Sequence, residues 1–522
     1  MKKILSVIST LVLSVNLMGN VIQWSAPPTS LSNTSVNSSN ASVAMDSSGN
    51  VVAVWLENGA VKASAKLISG GWGTVATLSS STATSPSIVC DSSGNATAVW
   101  LEGGAVKAMT KPFGSAWGSV STLATTLATT PTIAVDAAGD VIAAWARSGN
   151  IQTATKLFGA NWQNAVNITS SSATSPAIAM GGTGSGTRAA IVWNAVSSSI
   201  PVVYATTKAI TGNWGTPVIL SNTSHNAINP SVAVDSNANA LATWYSYDVL
   251  GVNYFSVAVQ ASYMISGGAW QSPVTISDES YRNPTSLMTK VAFDSGGNAV
   301  AMWTSSSDGA TYNIEAAMKP VRSDWSTPTQ IVSLNPYSYQ FSLAGTSFGE
   351  ALAVLMFYNG DSLLVQSSES DFSGFRDNAW SVPTNMSLGT DNGYPNAAAV
   401  ITSNAMNAAA VWIKNNGTNN IVYAVTGSKN LLLPPTSLTA TQSSNSFGIF
   451  TEYYNTFGWT ASASSDVTKY LIYRNGMFLA EVDASATQYI DSNRVQSQAT
   501  TYGVAAVNAQ GTVSRIASVN YP

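Results

Sequence analysis

Short apolar runs recur along this chain, separated by polar turns. "PSIVCDSSGNATAVW" occupies residues 86–100, and "PTIAVDAAGDVIAAW" occupies residues 131–145. Each sets an apolar run against a second one across an Asp-led turn containing Gly, and the second run ends in Trp. Such runs, with their alternation and β-branched members, predict strands. The turn predicts a hairpin in which Gly takes positive φ and the Asp carboxylate accepts backbone N–H groups.

The Asp-to-Trp half recurs as Asp46 to Trp55, Asp91 to Trp100, Asp136 to Trp145, Asp235 to Trp244 and Asp294 to Trp303. Three worn copies end at Trp193, Phe357 and Trp412. A second Trp marks another segment of each unit, at Trp24, Trp72, Trp117, Trp162, Trp214, Trp270, Trp325 and Trp380. The two sets agree on eight units. Each unit has room for four strands, as at residues 86–90, 96–100, 105–111 and 117–123, and none for an ordinary helix. Four-stranded units repeating every 45 to 59 residues predict a β-propeller. One such sheet cannot cover both of its faces, and a ring of neighbours can. Eight blades are expected, or seven if one worn copy is not a blade. The last unit has three strands of its own, ending at residues 420–425. Residues 24–31 are therefore expected to supply its outer strand and close the ring. The expected organisation is a signal peptide at 1–20, a propeller at 21–427, a linker at 428–435 and a second domain at 436–522.

The half-unit "P-x-[IV]-A-x-D-x-x-G-N" resembles the NHL family of propeller repeats. It is also similar to the Asp-box hairpins of sialidase-like propellers. This resemblance implies a fold and no active site. Past the Pro pair of "LLLPPTSLTAT", the chain resembles a fibronectin type III module. Trp459 in "FGWTAS" matches the core Trp of the second strand, and "KYLIYRNG" matches the third strand. "TYGVAAVNAQG" matches the tyrosine-corner strand with Tyr502 as its corner. The resemblance implies an immunoglobulin-like β-sandwich and names no activity. The fold class is therefore all-β throughout.

Composition narrows the function. Charged residues make up 9% of the chain, against roughly 25% in a typical soluble protein. Ser, Thr, Asn and Gly carry solubility instead, as in extracellular β-rich proteins. The net charge is −4 without a basic cluster, which excludes an electrostatic footprint for nucleic acid. "MKKILSVISTLVLSVNLMGN" has the charged start and short apolar stretch of a secretory signal peptide, so secretion or the cell surface is expected. No later stretch is apolar enough to span a bilayer. One cysteine, Cys90, excludes a disulfide framework and a Cys-based zinc site. One histidine, His225, argues against multi-His metal sites, and neither metal nor other cofactor is expected. Trp recurs at fixed repeat positions, which is what packing between blades requires. The repeat Asps read as turn residues, because one carboxylate per loop is too few for a calcium cage.

Candidate chemistry lies where units differ. A sialidase needs three arginines on one carboxylate, and only Arg147 and Arg282 fall on the face where loops enter the inner strands. Later loops on that face become richer, as in "DESYRNP", "NPYSYQ" and "GTDNGYP". Tyr247, Tyr281, Arg282, Tyr337, Tyr339 and Tyr394 are the candidate ligand-binding residues, since stacking aromatics with a few polar partners suit a sugar or peptide. The leading expectation is a non-enzymatic binding or adhesion protein for carbohydrate or extracellular protein, with no catalytic residues. The alternatives are a glycoside hydrolase or polysaccharide lyase using Asp248, Asp278, Glu279 or Asp391, and a structural surface protein.

Overall fold

The computed structural model describes residues 22–169, 172–251, 254–278, 280–281, 288–294, 296–305, 312–321, 323–334, 339–345, 350–358, 363–371, 380–381, 383–386, 398–401, 407–429, 432–509, 513–514 and 516–521. The expected signal peptide lies outside them. Among the described residues every regular element is a strand, apart from one 3-10 turn at Gly184–Gly186. The chain forms two compact units, Ile22–Lys429 and a second one beginning at Asn430.

Among the described residues of the first unit, eight antiparallel sheets follow one another along the chain. The second sheet shows the pattern: Ala83–Cys90, Ala96–Glu102, Ala105–Lys111 and Ser121–Ala124, each hydrogen-bonded to the next. The innermost strand of each sheet contacts that of its successor, and Ala398–Ile401 of the eighth contacts Ser38–Met45 of the first. The sheets thus make a closed ring. Gln23–Trp24 and Thr29–Ser30 both pair with Asn420–Ser428, so the chain's first described strands complete the eighth sheet. Strands pair here because the eighth sheet would otherwise present an open edge.

Two strand limits differ from those the pattern predicts. The first strand of the second sheet begins at Ala83 rather than Pro86, because a bulge between Thr84 and Ser87 lets pairing continue past the proline. The fourth strand starts only at Ser121. Before it, Gly118 donates to the Thr110 carbonyl at 2.9 Å, so the Trp117 segment is pinned without a continuous ladder.

Packing explains the repeated Trp. Trp100 is fully buried between the first and second sheets, against Val54, Leu56 and Val61 on one side and Ile88 and Ala98 on the other. Trp55, Trp145, Trp193, Trp244, Trp303 and Trp412 fill the equivalent spaces, and Phe357 does so in the worn seventh copy. Small Ala side chains on the facing strands leave room for each indole. The outer Trp residues are half-buried and tie neighbours together: Trp214 donates to Thr153 Oγ1 and Trp24 to Ser367 Oγ, both at 2.9 Å.

The Asp turns behave as the sequence predicts. Asp46 Oδ1 accepts the N–H groups of Ser48 and Asn50 at 2.9 Å, and Gly49 takes φ 91°. Neighbouring turns are laced together, since Ser47 Oγ donates to the Ser92 carbonyl and Ser92 Oγ to that of Ala137, both at 2.6 Å. The composition did not foretell one device. Glu369 accepts the Ile22 N–H at 2.6 Å and pairs with Lys429 at 3.1 Å, with both side chains under 10% exposed. The two ends of the ring unit therefore meet at one buried carboxylate.

The second unit is a sandwich of two sheets. Thr436–Ser446, Thr451–Thr460 and Gln488–Arg494 form one, and Met477–Asp483, Val467–Arg474, Thr500–Asn508 and Ala517–Tyr521 form the other. Phe457 and Trp459 from the first meet Tyr470, Ile472, Tyr502 and Val504 from the second in a single core. The Tyr502 hydroxyl donates to Asp491 at 2.5 Å and accepts from Asn455 at 3.0 Å, linking the sheets. Burial, then the Asp491 bond, pushes its pKa up to about 12.

Candidate functional site

The ring unit has two kinds of sheet end. At the Asp-turn end the construction barely changes from sheet to sheet. Ile68, Phe113 and Val321 donate their N–H to the turn residues Asn50, Asn95 and Asn298 at 2.9 to 3.0 Å. Clefts between neighbouring sheets open there, lined for example by Asn50, Lys66, Lys111 and Phe113, or by Asn239, Tyr263, Lys319 and Val321. Because the same clefts recur around the ring, they follow from packing. Cys90 lines one of them, and burial followed by Asp46 and Asp91 pushes its thiol up to about 12.

At the opposite end a shared brace holds each incoming loop to the end of the second strand. Asn33 donates its N–H to Glu57, and Ser80 donates its N–H to Glu102, at 2.8 and 3.0 Å. Arg147 Nε donates to the Thr126 carbonyl at 2.8 Å. That bond takes one of the five guanidinium N–H donors and fixes the side chain against the incoming loop. Past each brace lies a bulge with a left-handed residue: Asn40, Ser85, Thr130, Ser175 and Asn229, at φ 46° to 55°. In four of the five the next residue is proline, which ordinarily holds the residue before it extended, so the left-handed turn is set by the bulge.

The fifth sheet departs from this pattern. Its second and third strands, Ala240–Gly251 and Tyr254–Met264, run twelve and eleven residues, against seven and seven in the second sheet. They project past the ring as a ridge, and the short strand Ser280–Tyr281 pairs along its outer edge. The brace position itself is Ser246, and two residues further along the lengthened strand a different chemistry appears. His225 Nδ1 lies 2.7 and 2.8 Å from the two carboxylate oxygens of Asp248. An Asn222 turn positions the imidazole, with Ser224 N–H on Asn222 Oδ1 at 2.9 Å. Asn194 of the fourth sheet supports the strand that follows, donating to the Ala227 carbonyl at 3.0 Å. In register, Asp248 stands opposite Ser256, and Ser256 stands opposite Tyr281. His225, Asp248, Ser256 and Tyr281 thus form one row across the ridge.

This arrangement supports acid–base chemistry. With Nδ1–H donated to the carboxylate, the imidazole presents Nε2 as its acceptor, and the aspartate fixes that tautomer. Among the described residues none hydrogen-bonds Nε2. The side chains are 41% and 45% exposed, so the pair faces solvent.

The sequence-predicted residues divide unevenly. Tyr247 is half-buried, packs against the core between the fifth and sixth sheets, and meets Phe255 edge-on at 5.9 Å. It is at least partly a packing residue. Tyr281 joins the row by backbone register, and Tyr339 begins an inner strand of the seventh sheet. Arg282, Tyr337 and Tyr394 lie outside the described residues, as do Glu279 and Asp391. Asp278 is exposed beside the ridge. His225, which the sequence offers only as the chain's single histidine, is the one that the fold places against a carboxylate. Among the described residues no group of three or more His, Cys, Asp or Glu could hold a metal ion. No described helix is long and apolar enough to cross a membrane.

No family model matches the chain, and no curated protein matches it. Several solved structures are similar to it. One is a PL25 ulvan lyase bound to a saccharide, with TM-score 0.44 and 9% identity over 73% of this chain and 90% of that one. Another is the polysaccharide lyase Uly1, with TM-score 0.41 and 6% identity over 79% and 90%. A third is an α-L-arabinofuranosidase of Fusarium graminearum, with TM-score 0.35 and 10% identity over 58% and 93%.

Proposed function

We propose that this chain is an exported, carbohydrate-engaging eight-bladed β-propeller followed by a fibronectin type III module, and that it works as a polysaccharide lyase at the ridge of the fifth blade. The observation that carries the reading is His225, held through Nδ1 by both oxygens of Asp248. An imidazole so oriented is a general base. The alternative of a two-carboxylate hydrolase fits less well. Asp248 is committed to His225, whereas hydrolysis needs a pair of working carboxylates about 5–9.5 Å apart.

The substrate that suits a lone base is a uronate, whose carboxylate acidifies the adjacent C–H. Nε2 takes that proton, the C–H electron pair becomes the new double bond, and the glycosidic C–O bond breaks. The leaving oxygen takes a proton from an acid. Tyr281 is assigned that role by its place in the row, and Arg282 is assigned to the substrate carboxylate. Both assignments rest on chain position.

Exposure favours a second reading. The pair is nearly half open to solvent, which also suits a surface that binds saccharide without turning it over. Incubating the full chain with uronate-bearing and neutral polysaccharides distinguishes them. Rising ultraviolet absorbance from unsaturated uronate, abolished by His225→Ala, supports the lyase. Saccharide binding without such a product, weakened by Tyr281→Ala with Tyr394→Ala, supports the adhesion reading. Neutral saccharides cleaved with His225 replaced would reject the assignment of His225.

A further inference from the structure

A lysine buried without a counter-charge lies between the third and fourth sheets of the ring. The repeat places a lysine at one position of the third strand in five sheets. These are Lys66, Lys111, Lys156, Lys208 and Lys319, which pair with Val51, Ala96, Val141, Ala189 and Ala299 near the Asp-turn end. Lys66 and Lys319 bond carbonyls close by in their own sheets, those of Leu67 and Ser323, at 3.3 and 2.8 Å. Lys208 instead crosses to the third sheet. Its Nζ donates to Thr155 Oγ1 at 3.2 Å and lies 5.8 Å from the centre of the Trp214 ring. The residue is 7% exposed, and among the described residues no carboxylate pairs with it. Burial holds its pKa below the usual lysine range. Lysine is seldom buried unless paired, and the Thr155 bond occupies only one of its N–H groups.

Lys208 lines a cleft of about 330 Å³, at the low end of the roughly 300–1,000 Å³ of small-molecule sites. Thr153 and Thr155 are buried beside it and complete the floor. Thr153 Oγ1 accepts from Trp214 Nε1 at 2.9 Å, and Thr155 Oγ1 accepts from Lys208. Each hydroxyl therefore keeps its own hydrogen to donate. The amides of Gln163 and Asn213 stand exposed at the rim. Donors below and amides above suit an anionic group carried on a sugar, whose hydroxyls both donate and accept. The next cleft around the ring shows that packing does not require these groups. There, between the fourth and fifth sheets, Ala205 and Met264 replace Thr153 and Lys208 in register. Gly215 and Ala269 replace Gln163 and Asn213. Packing accounts for the cleft, and it leaves the buried charge unexplained.

We infer that this cleft is a second saccharide site, at the opposite end of the sheets from the ridge, where Lys208 binds the carboxylate of a uronate. The choice of a uronate rests on the reading of the substrate given above. The free ammonium N–H groups and the two threonine hydroxyls meet the carboxylate oxygens, and the rim amides meet the ring hydroxyls. Among the described residues no carboxylate or imidazole lines the cleft, so it holds the polymer and does not cut it.

The test is hydrogen exchange of the full chain titrated with methyl glucuronide, and in parallel with methyl glucoside, which lacks the carboxylate. Exchange at residues 208–214 should slow with the glucuronide and stay unchanged with the glucoside. Lys208→Met copies the residue of the next cleft and removes a buried charge, so it should melt no lower than the unmodified protein. It should weaken the glucuronide response at 208–214 by about tenfold or more, the loss of a charge-assisted hydrogen bond. Equal response to both sugars, or an unchanged affinity in Lys208→Met, would overturn the inference. If that variant does not fold, Gln163→Ala at the exposed rim carries the test, and unchanged affinity there would count against the site. Unsaturated product from longer uronate polymers reports on the ridge alone. Its absence, with the glucuronide still held at Lys208, rejects the lyase and keeps this site; product formed without a response at 208–214 does the reverse.

Discussion

The second and fifth sheets of the ring are made from the same repeat, yet only one of them is plain. Both carry the Asp turn, the buried Trp and the braced incoming loop. In the second, a seven-residue hairpin ends at the brace between Ser80 and Glu102. In the fifth, the hairpin outgrows the ring, and His225 meets Asp248 two residues past the brace position. The ring needs only what lies between neighbouring sheets, so a loop can be lengthened and recharged without cost to closure. Function is therefore expected where the repeat is broken, and stability where it is kept.

The hardest way to break this comparison is to remove residues 22–31. Those residues complete the eighth sheet and engage Glu369. Their loss should destabilise the ring more than any single substitution, with aggregation through the freed edge. Thermal melting of the truncated chain checks it, and an unchanged melt would refute closure by this segment.

Next comes Trp100→Ala, which empties a fully buried site between two sheets and should cost roughly 3–5 kcal/mol. Denaturant unfolding measures it, and the saccharide chemistry proposed for the ridge should survive in the folded fraction. Gly94→Ala is smaller. A Cβ there would lie 2.5 Å from the Phe113 ring and 2.8 Å from Asp46 at φ +89°, a strain of about 1–3 kcal/mol. The fifth sheet offers the converse, since Ala238 already holds φ 62° at the equivalent turn. Ala238→Gly should stabilise by up to about 1 kcal/mol.

Asp248→Asn separates the two regions most sharply. A half-exposed pair contributes within about 1 kcal/mol, so melting should hardly move. The turnover proposed for the ridge, by contrast, should fall by about a hundredfold or more when the proposed base loses its orienting carboxylate. Equal loss of stability and activity would make the pair a brace like those of its neighbours. The smallest effect is chemical. Cys90, pushed up to about 12 by burial, should resist thiol reagents at neutral pH until the chain unfolds.

Much of the ring was legible along the chain because its units are local. Alternation, Asp–Gly turns and Trp spacing each report on neighbours within one hairpin, so the strands of each unit could be read directly. Strand limits slipped at Ala83 and Ser121, where a bulge and a single Gly118 bond replaced the regular ladder. Tyr247 packs against the core, and aromatic richness in a loop does not by itself distinguish packing from display. In the C-terminal unit, Trp459 and Tyr502 announced the core, but nothing in their spacing gave the Asp491 link.

What the amino-acid order determined by itself is the set of hairpins, since each closes over a few residues. Only the tertiary structure decided which distant groups meet. Glu369 gathers Ile22 and Lys429 from opposite ends of the ring unit. His225 reaches Asp248 because the lengthened second strand passes the incoming loop. Phe447, Met477 and Val495 share one end because three strand reversals fall on the same side of a sandwich. Such meetings depend on register across sheets, which sequence spacing does not encode.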